Sequence, residues 1–469
     1  MVTDNILVER VAALIAPLVP AHGSILVGLS GGVDSVVLLH VLHNLAARYD
    51  WQISALHVHH GISRNADAWA KFCAELCERD RIPFQVEQVD IAPLRAHGIE
   101  AAARKLRLAA FSRQPCDYVA LAHHADDQAE TLLLQMLRGA GVRGASAMPV
   151  LSLKEPPAIR LSCQETPARP LVMPRRPMLA RHAGSPALLR PLLHCSRREI
   201  LDYAVEFGLQ WVEDDSNSND SYPRNYLRHR VMPLLTPHFP AYRETLGRSA
   251  RHFAEATQLL DELARLDAGQ ALDGNAMRVE ALRALSSTRA KNLLRYFLHT
   301  QGAPMPQSAH LDEMLRQLCD ARQDAAVEVR VGEFQLRRYR DCVYLLPETA
   351  EFDRALSLPW QGEAMLDWVP LAKRLHFSRT TGAGISFRKL QHAPVTLRLR
   401  NGAEVIRPHP AAAKRTLKNL LQQHRIPPWE RVRLPLLFCG EDLACVVGVA
   451  IDADYLADES EDGVLVSCS

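Results

Sequence analysis

The sequence predicts an α/β protein: an N-terminal doubly wound parallel sheet, then a mainly helical middle domain and a small α+β C-terminal domain. Three observations carry this. Strand and helix signals alternate across residues 24–145, the pattern of a parallel sheet covered on both faces. Helical periodicity dominates residues 224–310, and period-two runs broken by turn residues take over from Val327. A length of 469 residues fits about three domains at about 150 residues each. Their expected bounds are 1–235, 236–350 and 351–469.

Taken in order, SILVGL (24–29) is a short apolar strand and VVLLHVLHNLAARY (36–49) the helix after it. ISALHVHH reads as a strand. DAWAKFCAELCERD reads as an amphipathic helix, with Trp69, Phe72, Cys73 and Leu76 at helical spacing. PFQVEQVDI, EAAARKLRLAAF, DYVALAHH and DDQAETLLLQMLRG continue the alternation. Residues 149–188 are rich in Pro and Arg without a period and read as a long loop or insertion. Residues 198–209 look helical, and EDDSNSNDSYP (213–223) is turn-forming. Residues 327–347 alternate around Gly332 as one strand pair. VTLRLR-NG-AEVIRP reads as a hairpin turning at Asn401-Gly402. AKRTLKNLLQQHR reads as a basic helix, and LPLLFC-GED-LACVVGVAI as a further strand pair.

Composition removes several classes. No apolar run reaches the roughly 18 residues of a membrane span, and the first ten residues lack a basic region leading into an apolar stretch. Ten Cys without a C-x-x-C pair argue against a zinc ribbon or a disulfide framework and fit reduced cytosolic thiols. Net charge is only +2, but it is unevenly spread. Residues 156–198 hold eight Arg against one acid, and 391–433 hold nine Lys/Arg against two. Residues 434–469 hold eight acids and no Lys or Arg. Such stripes suit a polyanionic partner; the alternative is solvated surface.

The strongest local signal is Ser30-Gly31-Gly32-Val33-Asp34-Ser35, placed between a strand and a helix. Paired glycines let backbone approach a phosphate, and the following helix offers free N–H groups and a positive dipole end. Ser30 and Ser35 add hydroxyls. Asp34 beside bound phosphates calls for a cation between them, and Mg²⁺ is the natural one. The Gly-Lys-Ser/Thr ending of a Walker A loop is absent. The alternative is a plain strand-to-helix turn.

A second cluster, His123-His124-Ala125-Asp126-Asp127-Gln128-Ala129-Glu130, also sits where a strand gives way to a helix. Asp127 and Glu130 (i,i+3) share a face, as do Asp126 and Glu130 (i,i+4). The cluster could hold Mg²⁺ or meet an amine with two negative charges; the alternative is capping of the helix dipole. His123 and His124 are metal-ligand types without a Cys spaced to help, and core histidines read equally well.

The Gly-rich turn resembles the pyrophosphate-binding loop of the PP-loop ATP pyrophosphatases, which split ATP between its α- and β-phosphates. HHADDQAETLLLQMLRGAG, GASAMP, RPLL (190–193) and EDDSNSNDSYPRNYLRHRVMPLL (213–235), with Glu100, Arg104 and Arg107 in an E-x-x-A-R-x-x-R pattern, together resemble the tRNA(Ile)-lysidine synthetase family. A Tyr often follows that pattern, where this chain has Leu108. The likeness covers residues 24–235 closely, and 236–350 and 380–455 more loosely.

The resemblance implies a cytoplasmic ligase using ATP and Mg²⁺. It would join L-lysine to carbon 2 of the wobble cytidine of tRNA(Ile) with a CAU anticodon, through an adenylated cytidine. It implies no membrane and leaves a homodimer open. On it, Ser30, Gly31, Gly32, Val33, Asp34 and Ser35 bind ATP, with Asp34 at the metal. Asp127 and Glu130 take the lysine ammonium, and one of them could remove its proton. Arg104 and Arg107 could meet the leaving pyrophosphate or lie on a helix surface. Arg224, Asn225 and Arg228 are candidate tRNA ligands, with capping or ion pairing as the alternative. Lys414, Arg415 and Lys418 on one helix, with Arg398 and Arg400 on one face of a hairpin strand, form a second candidate phosphate track. Tyr222 and Trp211 are stacking or core aromatics. A PP-loop tRNA thiolase is a rival; it needs well-placed Cys, for which only Cys116 and Cys195 offer a pair. A non-catalytic RNA-binding relic is the other.

Overall fold

A computed structural model describes residues 5–61, 63–90, 92, 99–153, 185–213, 219–322, 327–348, 352–371 and 373–468. The described chain forms two compact units, one reaching Leu266 and the other running from Asp267.

The first unit begins with α1 (Ile6–Ile15), a helix the sequence reading passes over, capped by the Asn5 side chain on Leu7 N–H at 2.9 Å. Then come β1 (Ser24–Gly28), α2 (Val33–Tyr49), β2 (Gln52–His59), α3 (Ala66–Arg79), β3 (Phe84–Gln88), α4 (Ile99–Ser112), β4 (Tyr118–Ala120) and α5 (Ala125–Leu137). A short α6 (Val142–Ala145), β5 (Leu151–Ser152), β6 (Ala187–Leu189) and α7 (Arg197–Glu206) follow. Strand order is β3-β2-β1-β4-β6-β5; all neighbours are parallel except β5 against β6. Residues 149–188 are therefore not wholly loop, because both flanks of the stretch supply strands. Residues 154–184 lie outside the described residues.

Side-chain alternation shows why the sheet is doubly wound. Ile25, Val27, Ala55, Tyr118 and Ala120 pack into one core with α1, α2, α3 and α7. Leu26, Leu56, Val58 and Val119 face the other way, onto Ala110 and Phe111 of α4. A strand's period of two thus feeds two cores, each covered by helices. Going outward from β1, the chain runs to β2 and β3 on one side and to β4 and β6 on the other. The crevice beyond the carboxyl ends of β1 and β4 is the switch point where open α/β sheets bind ligands. The rest of the unit is helical: α8 (Pro223–Tyr226), a π-helical turn over Leu227–Val231, α9 (Met232–Leu235) and α10 (Tyr242–Ala268), whose last residues begin the second unit.

In the second unit, β7 (Leu272–Asp273) and β8 (Ala276–Arg278) precede α11 (Val279–Arg283), α12 (Ser287–Thr300) and α13 (Ser308–Asp320). The expected strand pair at 327–347 is three strands, β9 (Glu328–Val331), β10 (Phe334–Tyr339) and β11 (Cys342–Pro347), and the sheet order is β7-β8-β11-β10-β9. Arg340 in the left-handed region (φ 54°) makes the second turn, a position no Gly announces.

Two antiparallel sheets close the chain around Trp360, Leu375, Leu397, Leu437 and Val464. The hairpin expected at Asn401-Gly402 does not form. Strand Val395–Arg398 is already flanked on both edges, by Ser357–Trp360 and Leu436–Cys439. A strand with both edges filled cannot take a hairpin partner, so Val405–Ile406 pairs with Arg415–Thr416 instead. The Glu404 carboxylate accepts the Asn401 and Gly402 N–H groups and turns the chain between them. The Leu436–Cys439 and Asp442–Val446 pair forms as expected, with a register shift between Leu437 and Phe438. No helix of the described residues is long and apolar enough to cross a membrane.

Candidate active site

The Gly-rich turn lies at the carboxyl end of β1. Gly31 has φ 91°, and a Cβ there would lie 2.8 Å from Val212 Cγ2, so only glycine suits both backbone and space. The Ser35 hydroxyl accepts the N–H groups of Ser30 and Gly31 at 3.2 Å each and donates to Gly32 O at 2.9 Å. Its single proton is spent inside the loop, so Ser35 shapes the cradle. Ser30 Oγ, 3.1 Å from Ser35 Oγ, is the hydroxyl nearer solvent. Val33 and Asp34 open α2, whose first N–H groups have no intrahelical acceptor. His57 of β2 holds the strand end from below, its Nδ1 2.9 Å from Leu29 O.

Asp34 Oδ1 is buried with no partner. Burial raises the Asp34 pKa, with His124 and Arg197 opposing and the charge of Asp127 adding to the rise. An orphaned, buried carboxylate oxygen is suited to a hard cation, which takes one or two carboxylates plus phosphate oxygens and water.

The second cluster sits across the switch point, at the carboxyl end of β4. His124 is 2% exposed and lies among three carboxylates. Its Nε2 is 3.4 Å from Asp127 Oδ2 and 3.8 Å from Asp34 Oδ2, and its Nδ1 is 3.8 Å from Asp126 Oδ2. The His124 N–H donates to Asp127 Oδ2 at 3.0 Å, so Asp127 does cap α5. Asp126 turns outward, accepting Arg197 N–H at 2.9 Å and pairing with Arg243 of α10. It is thereby a tether between helices and not a third member of the Asp127/Glu130 pair.

Asp127 and Glu130 share two arginines. Arg224 donates through Nη2 to Asp127 Oδ1 (2.8 Å) and through Nε to Glu130 Oε2 (2.9 Å). Arg228 donates through Nε to Glu130 Oε1 (2.6 Å) and through Nη2 to Glu130 Oε2 (2.9 Å) and Asp127 Oδ1 (3.1 Å). Burial alone would raise the Asp127 pKa; His124, Arg224 and His123 outweigh it and hold the carboxyl below its usual range. Arg228 stands on the π-helical turn, an irregularity frequent at functional sites. Arg224 and Arg228, expected as tRNA ligands or ion-pairing residues, thus direct their guanidinium groups to these carboxylates. Asn225 ties its own turn, donating to Asn219 O at 3.0 Å.

The sequence alone names no role for Arg190 and leaves His123 and His124 open. Arg190 is buried beside His123, whose pKa burial pushes down to about 3. The signal for both was position: each follows the end of an adjacent parallel strand. Arg104, on α4, acts electrostatically on both. The side chain of Glu100 lies outside the described residues. Trp211 packs against the core, and Tyr222 is the N-cap residue of α8. Cys116 and Cys195 are free thiols pushed up to about 11 by burial, poor nucleophiles for sulfur transfer.

In the second unit the basic helix is shorter than expected. It spans Leu417–Gln423, so of the trio only Lys418 is helical. Lys414 precedes the two-residue strand that holds Arg415, and Arg415 bonds Gln423. Lys414 and Lys418 are exposed. Arg398 pairs with Glu441 at 3.0 Å, Arg400 with Glu404 at 3.7 Å and Arg407 with Asp454. Part of the basic stripe is therefore matched by the acidic tail.

Family models match in chain order: a PP-loop domain over residues 3–235, a TilS substrate binding domain over 277–344 and a TilS substrate C-terminal domain over 395–468. The chain is 41% identical to the tRNA(Ile)-lysidine synthase of Nitrosomonas europaea, covering 94% of this chain and 91% of that one. It is 37% identical to that of Aromatoleum aromaticum (97% and 99% covered) and 38% identical to that of Azoarcus sp. (93% and 90%). Likeness of this extent, over all the elements that build the site, shows that the chain belongs to the tRNA(Ile)-lysidine synthase family.

Proposed function

We propose that the protein ligates L-lysine to carbon 2 of the wobble cytidine of tRNA(Ile) bearing a CAU anticodon, giving lysidine, AMP and pyrophosphate. One observation carries the reading. A pyrophosphate-type loop and a buried Asp–Glu pair face each other across the switch point, joined by the contact of His124 with both Asp34 and Asp127. A site for a leaving anion and a site for an entering cation thus lie side by side.

In the first step the cytidine carbonyl oxygen attacks the α-phosphorus of ATP, and pyrophosphate leaves. The loop from Ser30 to Ser35 holds the leaving group by backbone N–H groups and the start of α2. Asp34 would hold Mg²⁺ through its unpartnered oxygen; the ion supplies charge neutralisation on the phosphates.

In the second step the lysine ε-ammonium gives up a proton to one of the two carboxylates or to water, the neutral amine attacks carbon 2, and AMP leaves with the oxygen while a second proton from the nitrogen passes to solvent. Asp127 and Glu130 hold the lysine ammonium before attack. Asp127, kept below the usual carboxylate range, is suited to holding charge and is a weak proton acceptor. Four carboxylate oxygens already have partners, so the ammonium enters by exchange with a guanidinium of Arg224 or Arg228. The released arginine is then available to phosphate, which reconciles its ion pairing with a tRNA contact.

Residues 1–235 carry the chemistry in this reading, and 236–350 and 351–469 bind the tRNA. Lys414, Arg415 and Lys418 contribute phosphate contacts, and Asn225 braces the turn beside Arg224. A mature tRNA substrate places the work in the cytoplasm. The reading needs one copy of the chain and is compatible with a homodimer. Incubation with a CAU-anticodon transcript, ATP and labelled lysine tests it: label should enter the RNA only when ATP is present. Lysine-independent ATP turnover without incorporation would contradict it.

A further inference from the structure

Leu121, the residue after β4, donates its N–H to Leu189 O at 2.9 Å, and Arg190 follows β6 directly. It is 6% exposed. Its Nη1 donates to Pro149 O at 2.7 Å and to Ser152 Oγ at 2.9 Å, and both acceptors are neutral. Its Nε is buried with no partner, and among the described residues its side-chain hydrogen bonds go to those two neutral oxygens and to no carboxylate. A guanidinium taken out of water without a counter-charge is a costly arrangement, kept where something supplies the anion.

The surroundings point the same way. His123, at the end of the adjacent strand β4, also has a buried and unpartnered ring nitrogen, Nδ1. Arg104 projects from α4 with an exposed side chain. His123 and Arg190 follow the ends of two strands that pair directly, β4 and β6, and Arg104 of α4 opposes the charged form of both, as Arg224 does for His123. Burial and Arg104 bring the Arg190 pKa down to about 10. Asp127 favours the charged form of His123, but it is already committed to Arg224 and Arg228.

We infer that Arg190, His123 and Arg104 form a second anion site at the carboxyl ends of β4 and β6, separate from the Ser30–Ser35 loop, which takes a phosphoryl group. A planar guanidinium with a free Nε edge suits phosphate oxygens. Two sources share that chemistry: the triphosphate of ATP and a backbone phosphate of the RNA. The inference rests on the proposed function only for the identity of these sources.

The test uses the full chain and four proteins: unaltered, Arg190→Gln, Arg190→Lys and Arg104→Ala. Affinity is measured for an ATP analogue with a methylene bridge between the α- and β-phosphorus, without RNA. It is measured separately for the CAU transcript without nucleotide, at several salt concentrations. Arg190→Gln and Arg104→Ala should weaken the same ligand, by about tenfold or more for a lost charge-assisted hydrogen bond. Arg190→Lys should recover part of the loss. A loss confined to the analogue names ATP. A loss confined to the transcript, with its log–log salt slope reduced by about 0.7, names an RNA phosphate. Both affinities within twofold of the unaltered protein would overturn the inference. If Arg190→Gln fails to fold, Arg104→Ala decides alone, because its side chain is exposed. An unaltered protein that makes lysidine while the variants bind normally would remove this site and leave the proposed function standing.

Discussion

Arg228 grips Glu130 with two parallel hydrogen bonds, Nε to Oε1 at 2.6 Å and Nη2 to Oε2 at 2.9 Å, around a carboxylate side chain only 2% exposed. A fork of this kind is among the stronger side-chain interactions. It also means that the carboxylate cannot lose its partner without either another cation or a large penalty. A lysine ammonium is such a cation, and under the proposed function it would compete with the protein's own arginines for the same oxygens.

Removing the fork should destabilise the protein. Arg228→Met leaves Glu130 buried with only Arg224, at a cost of about 2–4 kcal/mol, somewhat below that of a fully buried broken pair because Arg228 is partly exposed. Urea unfolding with an unchanged m-value and a lower midpoint is the expected result. An unchanged midpoint would mean that solvent already compensates Glu130.

Asp127→Asn and Glu130→Gln should separate the two chemical steps. Adenylation of the transcript should survive, while the KM for lysine rises about 10- to 150-fold for the loss of one charged partner worth about 1.5–3 kcal/mol. Single-turnover formation of the adenylated RNA, followed by a lysine chase, measures both. Ordinary lysine kinetics in both variants would assign the pair to capping and ion pairing alone.

Asp34 and Asp127 should act on stability in opposite directions with pH. The Asp127 pKa is lowered by folding, so its contribution is present above the ordinary carboxylate range and is lost as pH falls through the lower folded value. The Asp34 pKa is raised, so the folded state binds its proton more tightly and is penalised once pH exceeds the ordinary range. Asp34→Asn should therefore raise the melting temperature of the ligand-free protein at pH 7, with the gain shrinking toward pH 4, while AMP formation is abolished. A variant less stable than the parent at pH 7 would show that Asp34 is internally compensated.

The C-terminal stripe gives a prediction with two separable parts. Lys414 and Lys418 are exposed, so neutralising both should lower tRNA affinity and reduce the salt slope by about 0.7–0.9 per lost phosphate contact. Arg398→Ala breaks a surface pair with Glu441 and should cost less than about 1 kcal/mol of stability, leaving the slope unchanged. A slope that responds to Arg398 and not to the lysines would move the RNA track onto the strand.

Much of the first unit was legible because its signals are local. Paired glycines between a strand and a helix mark a phosphate loop, and i,i+3 carboxylates share a helix face whatever the rest of the chain does. What could not be read depends on distant pairing. β6 is three residues of an otherwise Pro- and Arg-rich stretch, and only the neighbouring β4 makes Ala187–Leu189 a strand. Asn401-Gly402 carries a good hairpin signal that tertiary pairing overrides, since both edges of Val395–Arg398 are filled. The arginine fork joins residues 98 apart, and nothing in the local pattern around Arg228 names Glu130 as its partner. For Arg190 the clue was only a charged residue at a strand end; its lack of a carboxylate partner among the described residues is visible in three dimensions alone.

The most direct measurement is mass spectrometry of the anticodon-loop nucleosides after a complete reaction, with the nucleotide products quantified in the same tube. The expected product is a wobble cytidine heavier by one lysine less one water, with AMP and pyrophosphate formed one for one with it. ADP as the product, a sulfur-for-oxygen mass shift, or AMP release with an unmodified cytidine would contradict it.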